Sequence, residues 1–318
     1  ALEATKEAVN EGVEVFIGPI FSDETKILKQ RFGRGDILFF SLSTDFSNSS
    51  ENIIITGQSS RDQIFCITKN LIDIQSQKIL LIYHNDQYGQ IVKNNLIKSV
   101  TNLNALDRIE LSFFEMTGRE NINEEIKMLS EFEKRKSQLE NMVNSIKKDP
   151  NLSKEEKKAQ LKKIERQLTL DSPFDSIIIA SEGDRLLEIL SHLAFYDINS
   201  KNTVLYGTSL WEDTPKKDKI YEDTFFVSNL KIEESLFFQD YENIFAKKPI
   251  AINYQLLDLI DLIEEFKISQ LNYPESKVYI GEFGNSFIKE GFLRRETYVK
   301  NIKNQKLKNV SKCYLDVL

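Results

Sequence analysis

Two cysteines, two histidines, one tryptophan and six prolines are all that 318 residues contain of those types. With no CxxC pair, and with His84 and His192 the only histidines to join Cys66 and Cys313, the sequence argues against a structural zinc site. No GxSxG elbow, HExxH helix or GxxxxGK[ST] loop occurs, so the common nucleophile, zinc-protease and phosphate-cradle signatures are missing. Gly33-Arg34-Gly35 follows a helical pattern and reads as its terminator. No apolar run approaches the roughly 18 residues that a bilayer-crossing helix needs. The formal net charge of −7 argues against a basic face large enough for nucleic acid. No cofactor motif is present, and the many carboxylates form no pattern that demands acid/base work.

The first ten residues, ALEATKEAVN, read as an amphipathic helix. A parallel α/β unit ordinarily opens on a strand, so a preceding strand, and any targeting segment, is expected to lie outside this chain. Cys66 falls on the apolar face of a helix with Ile64, Ile67 and Leu71. It reads either as a small buried residue or as the partner of Cys313.

What is present is an alternation of short apolar runs with amphipathic stretches. Residues 13–17 (VEVFI), 37–41 (ILFFS), 53–55, 78–83 (KILLIY), 111–114, 176–180 (SIIIA), 203–206 and 224–227 read as strands. Stretches 22–31, 62–74, 91–100 and 185–194 read as helices. This order predicts an α/β fold of doubly wound parallel sheets. The length suits two lobes.

Residues 119–170 break the alternation. They are dense in Lys and Glu, and apolar residues recur at spacings of three, four or seven from Ile122 to Ile146. Asp149-Pro150-Asn151 interrupts the pattern, and Ser153 with Glu156 forms a capping box for a second helix. The expectation is a protruding helical hairpin, dispensable for folding, either a solvated decoration or a docking arm.

Five segments in order carry a family resemblance: 4–25 (ATKEAVNEGVEVFIGPIFSDET), 37–45 (ILFFSLSTD), 78–89 (KILLIYHNDQYG), 204–213 (VLYGTSLWED) and 237–263 (FFQDYENIFAKKPIAINYQLLDLIDLI). The chain resembles the type I periplasmic-binding-protein superfamily, its leucine-binding-protein branch. Within it, the chain is most similar to the penicillin-binding protein activators of alphaproteobacteria. The resemblance implies two lobes joined by three crossovers, with a cleft between them. The first lobe would hold 1–73 and 231–281, with its N-terminal strand missing. The second would hold 74–230 and 282–318 and carry the 119–170 hairpin. Crossings are expected near 73–78, 229–234 and 281–292. The implied location is the periplasm, as a lipoprotein of the outer membrane whose signal segment is not in this chain.

Ligands of open α/β sheets sit beyond the carboxyl ends of strands. There the sequence places Ser22, Ser43, Thr44, Asp86, Tyr88, Glu182, Ser209 and Trp211. In amino-acid binders of the superfamily, hydroxyls and backbone amides hold the ligand carboxylate, and an acid of the second lobe holds the ammonium. Tyr88 and Ser22 match that pattern. Asp45 stands near an expected threonine and would repel a carboxylate. Ser209 stands near the expected acid, with Glu182 as a substitute. Trp211 reads as a cleft platform or as plain packing. Two functions follow from the resemblance. One is a non-catalytic regulator whose partner is a peptidoglycan-synthesising penicillin-binding protein or another envelope protein. The other is a receptor delivering amino acids or similar small polar solutes to an ABC transporter.

Overall fold

The computed structural model describes residues 1–116, 121–165, 167–231, 235–269 and 271–313. In chain order the elements are α1 (Leu2–Asn10), β1 (Val15–Ile17), α2 (Ser22–Phe32), β2 (Leu38–Ser41), β3 (Ile53–Ile55), α3 (Ser60–Asp73), β4 (Lys78–His84), α4 (Gln87–Asn102), β5 (Glu110–Met116), α5 (Ile122–Leu129), α6 (Phe132–Lys148) and α7 (Lys154–Ile164). They continue with β6 (Ser176–Ala180), α8 (Gly183–Phe195), β7 (Val204–Gly207), β8 (Phe225–Ser228), α9 (Leu236–Phe245), α10 (Ala251–Glu265), β9 (Tyr279–Ile280), β10 (Asn285–Lys289), β11 (Phe292–Arg295), β12 (Thr297–Lys303) and β13 (Lys306–Cys313). Among the described residues no helix is long and apolar enough to cross a membrane.

The chain divides into two compact units. One holds Ala1–Cys66, Val227–Val299 and the chain from Asn309 on; the other holds Ile67–Phe226 and Lys300–Lys308. The first is built on a six-stranded sheet, order β1-β2-β3-β11-β10-β9. Its first three strands are parallel, with Phe16 opposite Phe39 and Phe39 opposite Ile53. Strand alternation sorts the side chains by face. Leu38, Phe40 and Ile54 pack with Leu259 and Leu262 of α10, while Phe39, Ile53 and Ile55 pack with Leu28 of α2.

The second unit rests on β5, β4, β6, β7 and β8, hydrogen-bonded in that order and all parallel. In the full seven-stranded sheet, β12 and β13 extend it past β8. Leu80, Ile82, Ile177, Ile179 and Leu205 pack with Leu186, Ile189 and Leu193 of α8. Strands buried on both faces have no polar alternation, which is why KILLIY and SIIIA are continuous apolar runs. The α/β class and the two parallel-dominated sheets are as the sequence predicts.

The C-terminal part differs from expectation. Residues 282–318 are expected in the second lobe, yet β10 and β11 add to the first sheet, with Phe292 opposite Ile55. Two contacts hold them there. Arg294 Nη1 donates to both carboxylate oxygens of Asp62 at 2.9 Å, and buried Arg295 donates to the Thr56 carbonyl. The hairpin turns at Glu290 and Gly291, both with positive φ (53° and 77°), as a two-residue type I′ connection requires. The chain therefore passes between units after Cys66, Phe226, Val299 and Lys308, not near 281–292. Part of the expected 229–234 crossing, 232–234, lies outside the described residues.

The insertion is also not a plain hairpin. Residues 119 and 120 lie outside the described residues, and beyond them come three helices. Ile122 and Ile126 of α5 belong to the main core of the second unit. At the start of α6, Arg135 is 3% exposed. Its Nε donates to the carbonyls of Leu170 and Asp171 (both 3.0 Å), its Nη1 to those of Ser130 and Tyr196 (both 3.2 Å), and its Nη2 to those of Leu170 (2.9 Å) and Asp197 (3.1 Å). Phe132 packs edge-on against Tyr196 at 5.5 Å. Beyond Leu139 the hairpin is solvated, and α7, which starts at the predicted Ser153–Glu156 capping box, buries nothing.

Cys66 and Cys313 form a disulfide, with Cα atoms 5.6 Å apart across 247 residues. By loop-closure entropy such a bond stabilises by up to about 5 kcal/mol. Replacing both cysteines with serine should lower Tm in calorimetry by on the order of 10 °C; an unchanged Tm would show that the bond contributes little. For the insertion, replacing 141–163 with a short Gly/Ser joint should leave cooperative unfolding intact. Arg135→Ala, which orphans buried carbonyls, should cost at least about 3 kcal/mol in denaturant titrations.

Candidate functional site

Parallel strands present all their carboxyl ends on one edge, and each unit gathers polar loops there. In the first unit these loops follow β1, β2 and β3. Ser22 opens α2, and its hydroxyl lies 2.8 Å from that of Ser43. Ser43 is buried and accepts from the Asp45 amide at 3.0 Å. Below them, Ser41 Oγ meets Thr25 Oγ1 at 2.7 Å and accepts from the Ser43 amide at 3.2 Å. These hydroxyls stitch the loop to itself and to α2. Thr44 alone of the predicted first-unit hydroxyls is exposed. Asp45 caps a short 3₁₀ turn, accepting from the Ser47 amide at 3.0 Å, the Ser47 hydroxyl at 2.7 Å and Asn48 Nδ2 at 3.4 Å.

In the second unit the loops follow β4, β6 and β7. Asp86 is the N-cap of α4, accepting from the Gly89 amide at 2.7 Å. Tyr88, in the first turn, is half-buried and hydrogen-bonds Thr208. Burial pushes its pKa up to about 12; the Thr208 bond pulls the other way, and the charges of Glu182 and Asp86 push further up. The phenol is therefore neutral at any physiological pH. Glu182 is exposed at the N-terminus of α8, where its side chain caps nothing. Ser209 is half-buried at the start of a 3₁₀ turn. So Tyr88, Glu182 and Asp86 share one electrostatic neighbourhood.

Trp211 is not a platform. It is fully buried, its Nε1 donates to the Ile179 carbonyl at 3.2 Å, and its ring meets Tyr221 edge-on at 6.0 Å. A Cβ on Gly207 would lie only 2.1–2.3 Å from three carbons of the indole, so the glycine makes room for it. The indole is core because the short turn after β7 folds back beneath the strand end. Sequence reasoning missed Thr208. The one available signal is a hydroxyl directly after the last strand residue, Gly207, which is a weak one.

His84 ends β4 with Nε2 2.9 Å from Ser181 Oγ. Burial draws its pKa down, while Asp86 and Glu182 oppose this and Arg185 adds to it. A serine beside a neutral imidazole is the start of a nucleophile pair. However, Ser181 is only 2% exposed, which leaves no approach for a substrate carbonyl, and among the described residues no carboxylate hydrogen-bonds the imidazole.

No family model and no curated protein matches this chain. Solved structures do. A leucine-binding protein of Thermotoga maritima shares 14% identity at TM-score 0.60, over 99% of this chain and 84% of that one. A branched-chain amino acid ABC transporter periplasmic ligand-binding protein of Burkholderia xenovorans shares 11% at TM-score 0.64, over 98% and 80%. LpoA of Haemophilus influenzae shares 12% at TM-score 0.61, over 97% of this chain and 50% of that one. These likenesses show the fold: that of the leucine-binding-protein-like type I periplasmic binding proteins.

Trp211 is the sole tryptophan and so reports on its own burial. Gly207→Ala should destabilise by about 2 kcal/mol through overpacking and shift Trp211 emission to the red. Native-like emission and stability in that variant would place the indole elsewhere.

Proposed function

We propose that this chain, with the fold of the type I periplasmic binding proteins, is a non-catalytic binding domain that regulates a peptidoglycan-synthesising penicillin-binding protein. One observation carries the reading: the polar groups that would grip a zwitterion are committed elsewhere or of the wrong charge. Ser22 and Ser43 bond each other; by the sequence resemblance, Asp45 falls near the hydroxyl that would receive a carboxylate and Ser209 near the acid that would hold an ammonium. A zwitterion leaves water only if both charges are paired. The buried Ser181 argues against catalysis by the His84 pair. The Cys66–Cys313 bond fits an oxidising compartment such as the periplasm. The sequence resemblance to penicillin-binding protein activators selects the partner, and the fold shared with LpoA is compatible with it.

A second reading, a transporter receptor for a small polar solute, is favoured by the exposed Glu182 carboxylate close to Tyr88, with Glu182 as a substitute ammonium ligand. Structural neighbours include a solute-binding protein from Rhodopseudomonas palustris in complex with benzoate.

The two readings separate by calorimetry. Each lost charge-assisted grip costs roughly 1.5–3 kcal/mol, about ten- to a hundredfold in affinity. Titration with the standard amino acids should therefore give dissociation constants no tighter than about millimolar. A micromolar constant for any of them would replace the regulator by the receptor, with Tyr88, Glu182 and Ser22 as the first residues to substitute.

A further inference from the structure

The outer half of the α6–α7 hairpin concentrates positive charge on an acidic chain. Between residues 147 and 163 stand seven lysines and three acids, in a protein with 42 basic and 49 acidic residues. Lys147, Lys148, Lys154, Lys158, Lys162 and Lys163 are exposed, and among the described residues none of them has an ion-pair partner. Lys157 donates to the Lys147 carbonyl at 3.2 Å, which ties the two helices together at the tip. Glu156 is engaged by the cap at Ser153. Near the base the pattern is opposite: Lys134 pairs with Glu131 at 2.6 Å and Lys127 with Glu133 at 3.3 Å. Unpaired lysines are therefore densest in the distal part, with Lys136 a single exposed one nearer the base.

Reach matters as much as charge. The last buried residue of α6 is Leu139, nine residues before Lys148. At 1.5 Å per residue the tip stands about 14 Å beyond it. The screening length at physiological salt is about 8 Å, so the tip is largely shielded from the acidic remainder of the molecule.

The composition also selects among polyanions. A protein interface of useful affinity needs buried aromatic, arginine or aliphatic anchors at its centre. From 141 to 163 there is no aromatic residue and no arginine, and Met142 is the one large apolar side chain that stands exposed. Lysines on flexible stems recognise charge density, not shape. A flat array of phosphates is the surface that asks only for charge.

We propose that the tip of the α6–α7 hairpin is an electrostatic contact for an anionic phospholipid surface. The contact is peripheral: nothing apolar at the tip would insert. Each lysine near such a surface strengthens partitioning roughly fivefold, so a handful suffices for reversible binding that salt dissolves. The inference does not depend on the regulatory reading above.

The test uses the whole chain and sedimentation with vesicles of phosphatidylcholine alone or mixed equally with phosphatidylglycerol. The protein should sediment with the mixed vesicles only and be released by high salt. The quadruple variant Lys147→Gln, Lys148→Gln, Lys154→Gln, Lys158→Gln should lose about two orders of magnitude or more in partitioning with unchanged thermal unfolding. A control with Lys69→Gln, Lys98→Gln and Lys201→Gln, all exposed elsewhere, should bind like the parent. Failure of the parent to sediment with mixed vesicles would overturn the proposal, as would binding retained by the tip variant.

Discussion

Neighbouring parallel strands cannot be joined by a tight turn, and almost everything in the second unit follows from that constraint. Each of β4, β5, β6 and β7 must be followed by a crossover that returns the chain to the opposite edge. The inner strands are then covered on both faces, and side chains such as Ile177, Ile178 and Ile179 have no exposure at all. Polar chemistry is left only at strand ends. His84, Ser181 and Thr208 occupy such places on three adjacent strands or directly after them, so three residues far apart in sequence come to one edge without any design at the level of the loop.

The crossover from β5 to β6 is where the chain has added material. Adding residues to an existing loop costs little closure entropy, provided the ends of the loop are held. Arg135 holds them. One guanidinium collects carbonyls from the start of the insertion, from its exit at Leu170 and Asp171, and from the end of α8 at Tyr196 and Asp197. A carboxylate could satisfy only part of the guanidinium fork; a ring of carbonyls fills it and leaves no acid buried. What lies outward of this anchor is free to vary in length and charge.

The parallel strands were legible because two-sided burial writes itself as an unbroken apolar run. KILLIY and SIIIA could hardly be anything else. The hairpins of the C-terminal part were not, because β11 and β13 mix charged and apolar residues, and their turns rest on Glu290-Gly291 and Asn304-Gln305 rather than on an Asn-Gly pair. The helical pattern of α5 was visible, but its membership of the core depends on α8, far along the chain. Of the candidate site, position was readable and availability was not. Ser22 and Ser43 do stand at strand ends, yet each is the other's partner across 21 residues. Trp211 posed an open choice because an indole suits a wet rim as well as a dry interior. The pairing of Cys66 with Cys313 depended on proximity that no spacing encodes.

That pairing has a consequence in time. Cys66 is made 247 residues before the cysteine it needs. Until then its thiol has no partner; in the folded chain its side chain on α3 is fully shielded. Only when the closing strand β13 has emerged can the bond be made. The disulfide therefore forms only after everything between the two cysteines has been made. A chain broken off before residue 313 lacks the partner of Cys66 and leaves that thiol unpaired.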